Sequence, residues 1–217
     1  MPCLLFSRDE ACYVFTNVYP RADQEVYVLP ITVIRLDHTQ GCGTINRKLK
    51  TTNGESMQKR CILFDWGNTL MVDFNQPGPM CEWEHVEAVD GAAEVCNMLS
   101  KNTILAVVTN GSESGAEEVQ KALARVGFES YITRIFAQKD IGMGKPDPAL
   151  FAHVLYELHM RPQDCVMVGD NLEKDVLGAL ACGIDAVWLN SDVSVNAPAG
   201  VTVIHCLHDL IQYLDRM

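Results

Sequence analysis

From Lys59 onward, short apolar runs alternate with longer segments of helical period, and this alternation restricts the fold more than any single residue. The runs are Cys61–Phe64, Thr103–Val108, Ile132–Ala137, Cys165–Val168 and Ile184–Leu189. Runs that are apolar at consecutive positions suit strands buried on both faces. Between them, Asp90 is placed to cap GAAEVCNMLS, with Val95, Met98 and Leu99 as its apolar face. Ser114–Val126 groups Val119, Leu123 and Val126 and stops at Gly127. Pro146-Asp147-Pro148 opens a helix to about Leu158, and Leu172–Cys182 is a helix ended by Gly183. Val201–Ile204 and a helix over Leu207–Leu214 close the chain. The expected fold class is α/β: a Rossmann-like three-layer α/β/α domain with a mostly parallel sheet of five strands or slightly more. Such sheets bind ligands at the carboxyl ends of strands, where strand order reverses.

Composition changes near Met57. Residues 1–56 carry equal numbers of acidic and basic side chains, so the whole net charge of −11 lies in residues 57–217. The expected organisation is therefore an extension over 1–56 and an α/β domain over 57–217. Within the extension, residues 11–17 and 25–36 have strand-like composition, Pro30 interrupts the second, and residues 38–56 read as a linker. It is either a poorly ordered tail or a small β element. An acidic body disfavours nucleic acid, whose binding depends on phosphate neutralisation. It leaves room for a phosphorylated metabolite in a local cationic pocket, and for an oligomer. Nine scattered cysteines without a CxxC pair suit reduced thiols in a cytoplasm. No apolar run reaches the ~18 residues of a membrane span, and the first residues lack the basic start of a signal peptide.

Polar groups follow four of the runs. Asp65 follows the first, where a carboxylate attacks phosphorus or carbon, holds a metal, or merely closes a turn. Thr109-Asn110-Gly111 offers a hydroxyl and backbone N–H groups to a phosphate, or starts a turn. Lys145 lies between Gly144 and Pro146, either as a surface lysine or as a cation for a transferring phosphoryl group. Asp170 follows CVMVG, and Asp175 lies five residues on, on the next helix. Two carboxylates directed at one strand end make a hard oxygen site for Mg²⁺, and the alternative for Asp175 is a solvated first-turn acid.

Taken together and in this order, FDWGNTL, VVTN, GKPDP and VGDNLEKD resemble the four motifs of the haloacid dehalogenase superfamily, over roughly residues 60–190. The resemblance implies Asp65 as nucleophile, with Thr109, Asn110 and Lys145 on the phosphate. It implies Mg²⁺ on Asp65, on the Gly67 backbone carbonyl and on Asp170. Asp175 is then a further acid beside the metal or a partner for Lys145. The implied activity is Mg²⁺-dependent phosphatase chemistry through an aspartyl-phosphate, on a phosphorylated small molecule or an exposed phosphate of a larger substrate.

Gly67 departs from the pattern. Phosphatases of the superfamily typically read DxDGT, and their second Asp protonates the leaving oxygen and then activates water. Removing a positioned acid/base typically costs ~10²–10⁴-fold in rate, so low activity on ordinary phosphomonoesters is expected. Dehalogenases and phosphonoacetaldehyde hydrolases of the superfamily also lack this acid. The Asp170 and Asp175 pair argues against the first chemistry, and the absence of room for a cap argues against the second. Residues 71–89 form the only local lid; of its Asp73, Glu82, Glu84 and His85, His85 is the best chemical match to a missing acid near neutral pH. The alternative function is a catalytically weak or inactive protein that binds phosphate or a partner.

Overall fold

The computed structural model describes residues 59–217. The 1–56 extension, its two strand-like stretches and the boundary at Met57 lie outside the described residues. Six parallel strands form one sheet: β1 (Cys61–Phe64), β2 (Ile104–Thr109), β3 (Arg134–Ala137), β4 (Cys165–Gly169), β5 (Asp185–Leu189) and β6 (Thr202–Ile204). Their order is β3-β2-β1-β4-β5-β6. The sixth comes from the run at 201–204, which pairs with β5 at the sheet edge.

Each strand alternates its side chains between two cores, which is why the runs are continuously apolar. Ile62, Phe64, Leu105, Val107, Val166 and Val168 face one layer, containing α1 (Ala92–Leu99), α2 (Ala116–Arg125) and α6 (Asp209–Leu214). Cys61, Leu63, Ala106, Val108, Cys165 and Met167 face the other, with α4 (Pro148–Leu158) and α5 (Gly178–Ala181). A short α3 (Gln138–Ile141), not foreseen, leads from β3 toward the Lys145 loop. Full burial of side chains the size of Phe64 or Leu63 contributes about 1.5–3 kcal/mol each relative to exposure.

Several boundaries differ from expectation for local reasons. The α1 N-cap is Gly91 in a left-handed conformation, without a side-chain cap from Asp90. The α1 core face is Ala92, Val95 and Cys96, and Met98 is exposed because it falls off that i, i+3, i+4 row. At α2 the cap is Gly115, whose N–H donates to the Glu118 carboxylate at 2.7 Å, and Gly127 is left-handed as anticipated. Asp147 caps α4 by accepting from the Ala149 N–H at 2.9 Å, with Pro148 as the first helical residue. The segment after β4 begins not as an α-helix but as a π-helical turn, Leu172–Leu177, before α5. Wide turns of this kind are frequent at functional sites. No helix among the described residues is long and apolar enough to cross a membrane.

Candidate active site

Strand order reverses between β1 and β4, and their carboxyl ends bring Asp65 and Asp170 to one rim. The Asp65 N–H donates to the Val168 carbonyl at 2.9 Å, so the sheet ladder holds its backbone. Beyond it, the Trp66 carbonyl accepts from the N–H groups of Leu70 and Met71 at 2.9 and 3.0 Å, which folds Trp66–Met71 into a tight turn. The Asp170 N–H donates to the buried Thr69 hydroxyl at 3.2 Å, and the Trp188 indole donates to the Asp170 carbonyl at 2.8 Å. Both acidic residues are thus pinned through their main chains, leaving their carboxylates to face the rim.

Lys145 is buried and lies between two of the acids. Its Nζ is 2.5 Å from Asp65 Oδ1 and 2.7 Å from Asp175 Oδ1. Burial pulls the ammonium down, but the carboxylates of Asp65 and Asp175 outweigh it and hold the pKa above the ordinary lysine range. Asp175 also accepts from the Asn171 N–H at 3.0 Å, so it engages protein donors through both oxygens. Of the two roles expected of it, partner to Lys145 is the one its contacts display. Asn110 acts as a strut. Its amide donates to the Lys145 carbonyl at 2.7 Å and accepts from the Lys145 N–H at 2.8 Å. Thr109 is buried at the end of β2, and its hydroxyl accepts from the Gly111 N–H at 3.1 Å.

One oxygen from each of Asp65, Asp170 and Asp175 lies within 4.8 Å of the others. Burial pushes Asp170 up to about 6, and the charges of Asp65 and Asp175 add to it. Asp175 is raised likewise, first by burial and then by Asp65, against the pull of Lys145. The cluster carries three acids against one lysine, and that lysine pairs with Asp65 and Asp175 rather than with Asp170. That imbalance, with oxygen-only donors, fits a hard divalent cation.

Gly169 is what lets Asp175 approach. A Cβ there would collide with the Asp175 carboxylate. Gly169→Ala is expected to push that carboxylate off Lys145 and lower turnover about 10²-fold, a loss that a ~1 Å misplacement can cause. Steady-state rates beside a thermal melt check it.

The acids and Lys145 open into a cavity of about 390 Å³, walled also by Trp66, Met80 and Trp83. The lid over residues 71–89 is fastened to α2. Arg125 donates to the carbonyls of Cys81, Trp83 and Glu84 at 3.0, 2.5 and 3.0 Å, and the Gly78 N–H donates to Glu113 at 3.1 Å. Nothing in residue spacing announced Arg125, because its partners are backbone groups distant in sequence. His85 is not brought to the site. It is exposed, 3.5 Å from Glu87 and packed on Phe74, outside the cavity wall, because the lid turns that edge to solvent.

A model of the haloacid dehalogenase-like hydrolases matches residues 80–183, a span containing Thr109, Lys145, Asp170 and Asp175 but not Asp65. The N-acylneuraminate-9-phosphatase of Mus musculus is 35% identical over 194 residues, covering 84% of this chain and 68% of that protein. The chain belongs to the haloacid dehalogenase-like hydrolases. The phosphoserine phosphatase of Thermus thermophilus is also similar, 35% identical over 94 residues, 43% of this chain and 36% of that protein. Among solved structures of this hydrolase fold, the HAD-hydrolase YfnB from Bacillus subtilis, bound to magnesium, aligns with a TM-score of 0.60 at 20% identity, covering 73% of this chain and 99% of that one. An uncharacterized protein from Listeria monocytogenes aligns at 0.63 with 25% identity, again covering 73% and 99%.

Proposed function

We propose that this hydrolase is a Mg²⁺-dependent phosphatase that forms an aspartyl-phosphate on Asp65. The observation that carries the reading is the meeting of Asp65, Asp170 and Asp175 within 4.8 Å, with Lys145 between two of them, at the strand-order reversal. Phosphatase names among the relatives support it, as does the magnesium bound to YfnB of Bacillus subtilis.

Asp65 and Asp170 would hold the cation, with the Gly67 carbonyl, while Asp175 balances Lys145. Mg²⁺ bound there supplies charge stabilisation to phosphoryl oxygens. Asp65 presents one oxygen to phosphorus, and Lys145 holds the attacking carboxylate and the charge on the transferring group. The Thr109 hydroxyl and the backbone N–H of Asn110 orient the phosphate. The stretches 65–103 and 110–133 each fold into one α-helix and short turns, which supports a capless site open to an exposed phosphate on a large substrate.

Turnover of para-nitrophenyl phosphate and acetyl phosphate with Mg²⁺, against EDTA, tests the reading. EDTA is expected to reduce both to background, and metal-independent turnover would overturn it. Burial, with the charges of Asp65 and Asp175, raises Asp170 to about 6, so below that pH Mg²⁺ competes with a proton for its carboxylate. Apparent Mg²⁺ affinity is therefore expected to be flat above that pH and to fall by up to about tenfold per unit below it, as calorimetric titration at several pH values reads.

Gly67, with no side chain to move a proton, favours a second reading as a phosphate- or partner-binding protein with little turnover. That reading predicts Mg²⁺-dependent beryllium fluoride binding at Asp65 without hydrolysis of either substrate.

A further inference from the structure

We propose that Asp73 supplies the proton-transferring carboxylate that position 67 lacks; the inference rests on the phosphatase reading above. The side chain of Asp73 stands beside the point where a residue 67 side chain would begin, in van der Waals contact with it. A Cβ built on Gly67 lies 3.7 Å from both Asp73 Cβ and Asp73 Oδ2. Asp73 also lines the cavity that holds Asp65, Lys145 and Asp170, and the other lid candidates, Glu82, Glu84 and His85, do not.

The placement is built by the backbone. After the turn at Trp66–Met71, Met71 bridges to Gly67 on one side and to Ala88 on the other. The Val72 N–H donates to the Glu87 carbonyl at 2.9 Å. Asn68, in a left-handed conformation that Asn tolerates, turns its side chain to accept from the Asp73 N–H at 3.0 Å. Asp73 Oδ1 in turn accepts from the Asn75 N–H at 2.8 Å. One carboxylate oxygen is thereby anchored. The other, Oδ2, has no donor among the described residues and is the one nearest the Cβ position at 67. An acid fixed by one oxygen and open at the other is arranged to give and take a proton.

In the first step an Asp65 oxygen forms a bond to phosphorus while the bond from phosphorus to the alcohol oxygen breaks. Its electron pair goes to that oxygen, which takes the proton of the Asp73 carboxylic acid. In the second, the Asp73 carboxylate takes a proton from water as the water oxygen bonds to phosphorus. The bond to Asp65 breaks, its pair returns to the carboxylate, and phosphate leaves with Asp73 protonated again.

The experiment compares wild type, Asp73→Asn, Asp73→Ala, and Gly67→Asp in the Asp73→Ala background, on glycerol 2-phosphate and acetyl phosphate with Mg²⁺. Asn keeps the Oδ1 acceptor for Asn75, so the lid turn is retained. Asp73→Asn is expected to lower turnover of glycerol 2-phosphate by ~10²–10⁴-fold. Acetyl phosphate, whose leaving group needs no proton, is expected to label Asp65 at the wild-type rate and then to release phosphate slowly, so phospho-enzyme accumulates. The double variant, with a carboxylate restored at 67, is expected to regain turnover of the alkyl ester over Asp73→Ala alone. The assignment is overturned if Asp73→Asn keeps the wild-type ratio between the two substrates and accumulates no phospho-enzyme, whether its rates fall evenly or not at all. It falls together with the phosphatase reading if wild type neither hydrolyses either substrate nor becomes labelled, a result visible without any Asp73 variant.

Discussion

Asp65→Asn is expected to abolish turnover of every phosphate ester, by about 10⁴-fold or more, because an amide oxygen cannot serve as the nucleophile. The change is nearly isosteric, so the folded state is expected to survive it. Asp65 is held by a main-chain bond to Val168 that the substitution leaves alone. Loss of one negative charge beside Asp170 and Asp175 also relieves repulsion in the metal-free cluster. Against this, the substitution takes one of two carboxylates from the buried Lys145 ammonium, which Asp175 still pairs, so the variant is expected to melt modestly lower than wild type in EDTA while losing activity and Mg²⁺-dependent beryllium fluoride binding outright. Full activity in Asp65→Asn would remove the covalent mechanism outright. Equal loss of activity and stability would make Asp65 a structural residue.

Lys145→Met is expected to act on stability and activity together. The ammonium is buried between two carboxylates, and removing it leaves both without their counter-charge. Breaking a buried ion pair from one side costs about 3–5 kcal/mol, chiefly through the charge left behind. In EDTA the variant is expected to show a lowered melting temperature, with substantial recovery in Mg²⁺ because the cation replaces part of the missing charge. Turnover is expected to fall ~10²–10³-fold even when Mg²⁺ saturates, since the charge opposite the transferring phosphoryl group is gone. The double variant Lys145→Met/Asp175→Asn separates the two effects. It is expected to regain stability, having lost the orphaned acid, and to stay inactive. Were activity to return with stability, Lys145 would be a structural counter-ion and nothing more.

How much of this was legible in one dimension depends on the range of the interaction. Cys61–Phe64 announced a strand buried on both faces because alternate positions enter two different cores, and all four must be apolar. Asp147 and Pro148 announced the start of α4 because capping is decided within one turn. Asp90 misled for the same local reason: its type suits a cap, but the left-handed Gly91 took that position. The π-helical turn at Leu172–Leu177 was illegible, since its apolar spacing is close to that of an α-helix. His85 was the natural choice for the missing acid on chemical grounds. Which lid residue meets Gly67, however, is set by the bridges through Met71 and by the bond from Asp73 to Asn68.

The order of residues alone determined the α/β class and the strand ends that bear polar groups, which follow from periodicity. That Asp65, Thr109, Lys145 and Asp170 belong to one site was implied only by the resemblance of four contiguous motifs, and the fold sets all four on one cavity wall. Tertiary structure alone decided that Asp175 serves Lys145, that Asn110 braces the Lys145 loop, that Arg125 ties the lid to α2, and that Asp73 rather than His85 faces position 67. Each of these is a contact between backbone or side-chain groups on separate segments, and a distance of about 3 Å across a fold leaves no trace in local pattern.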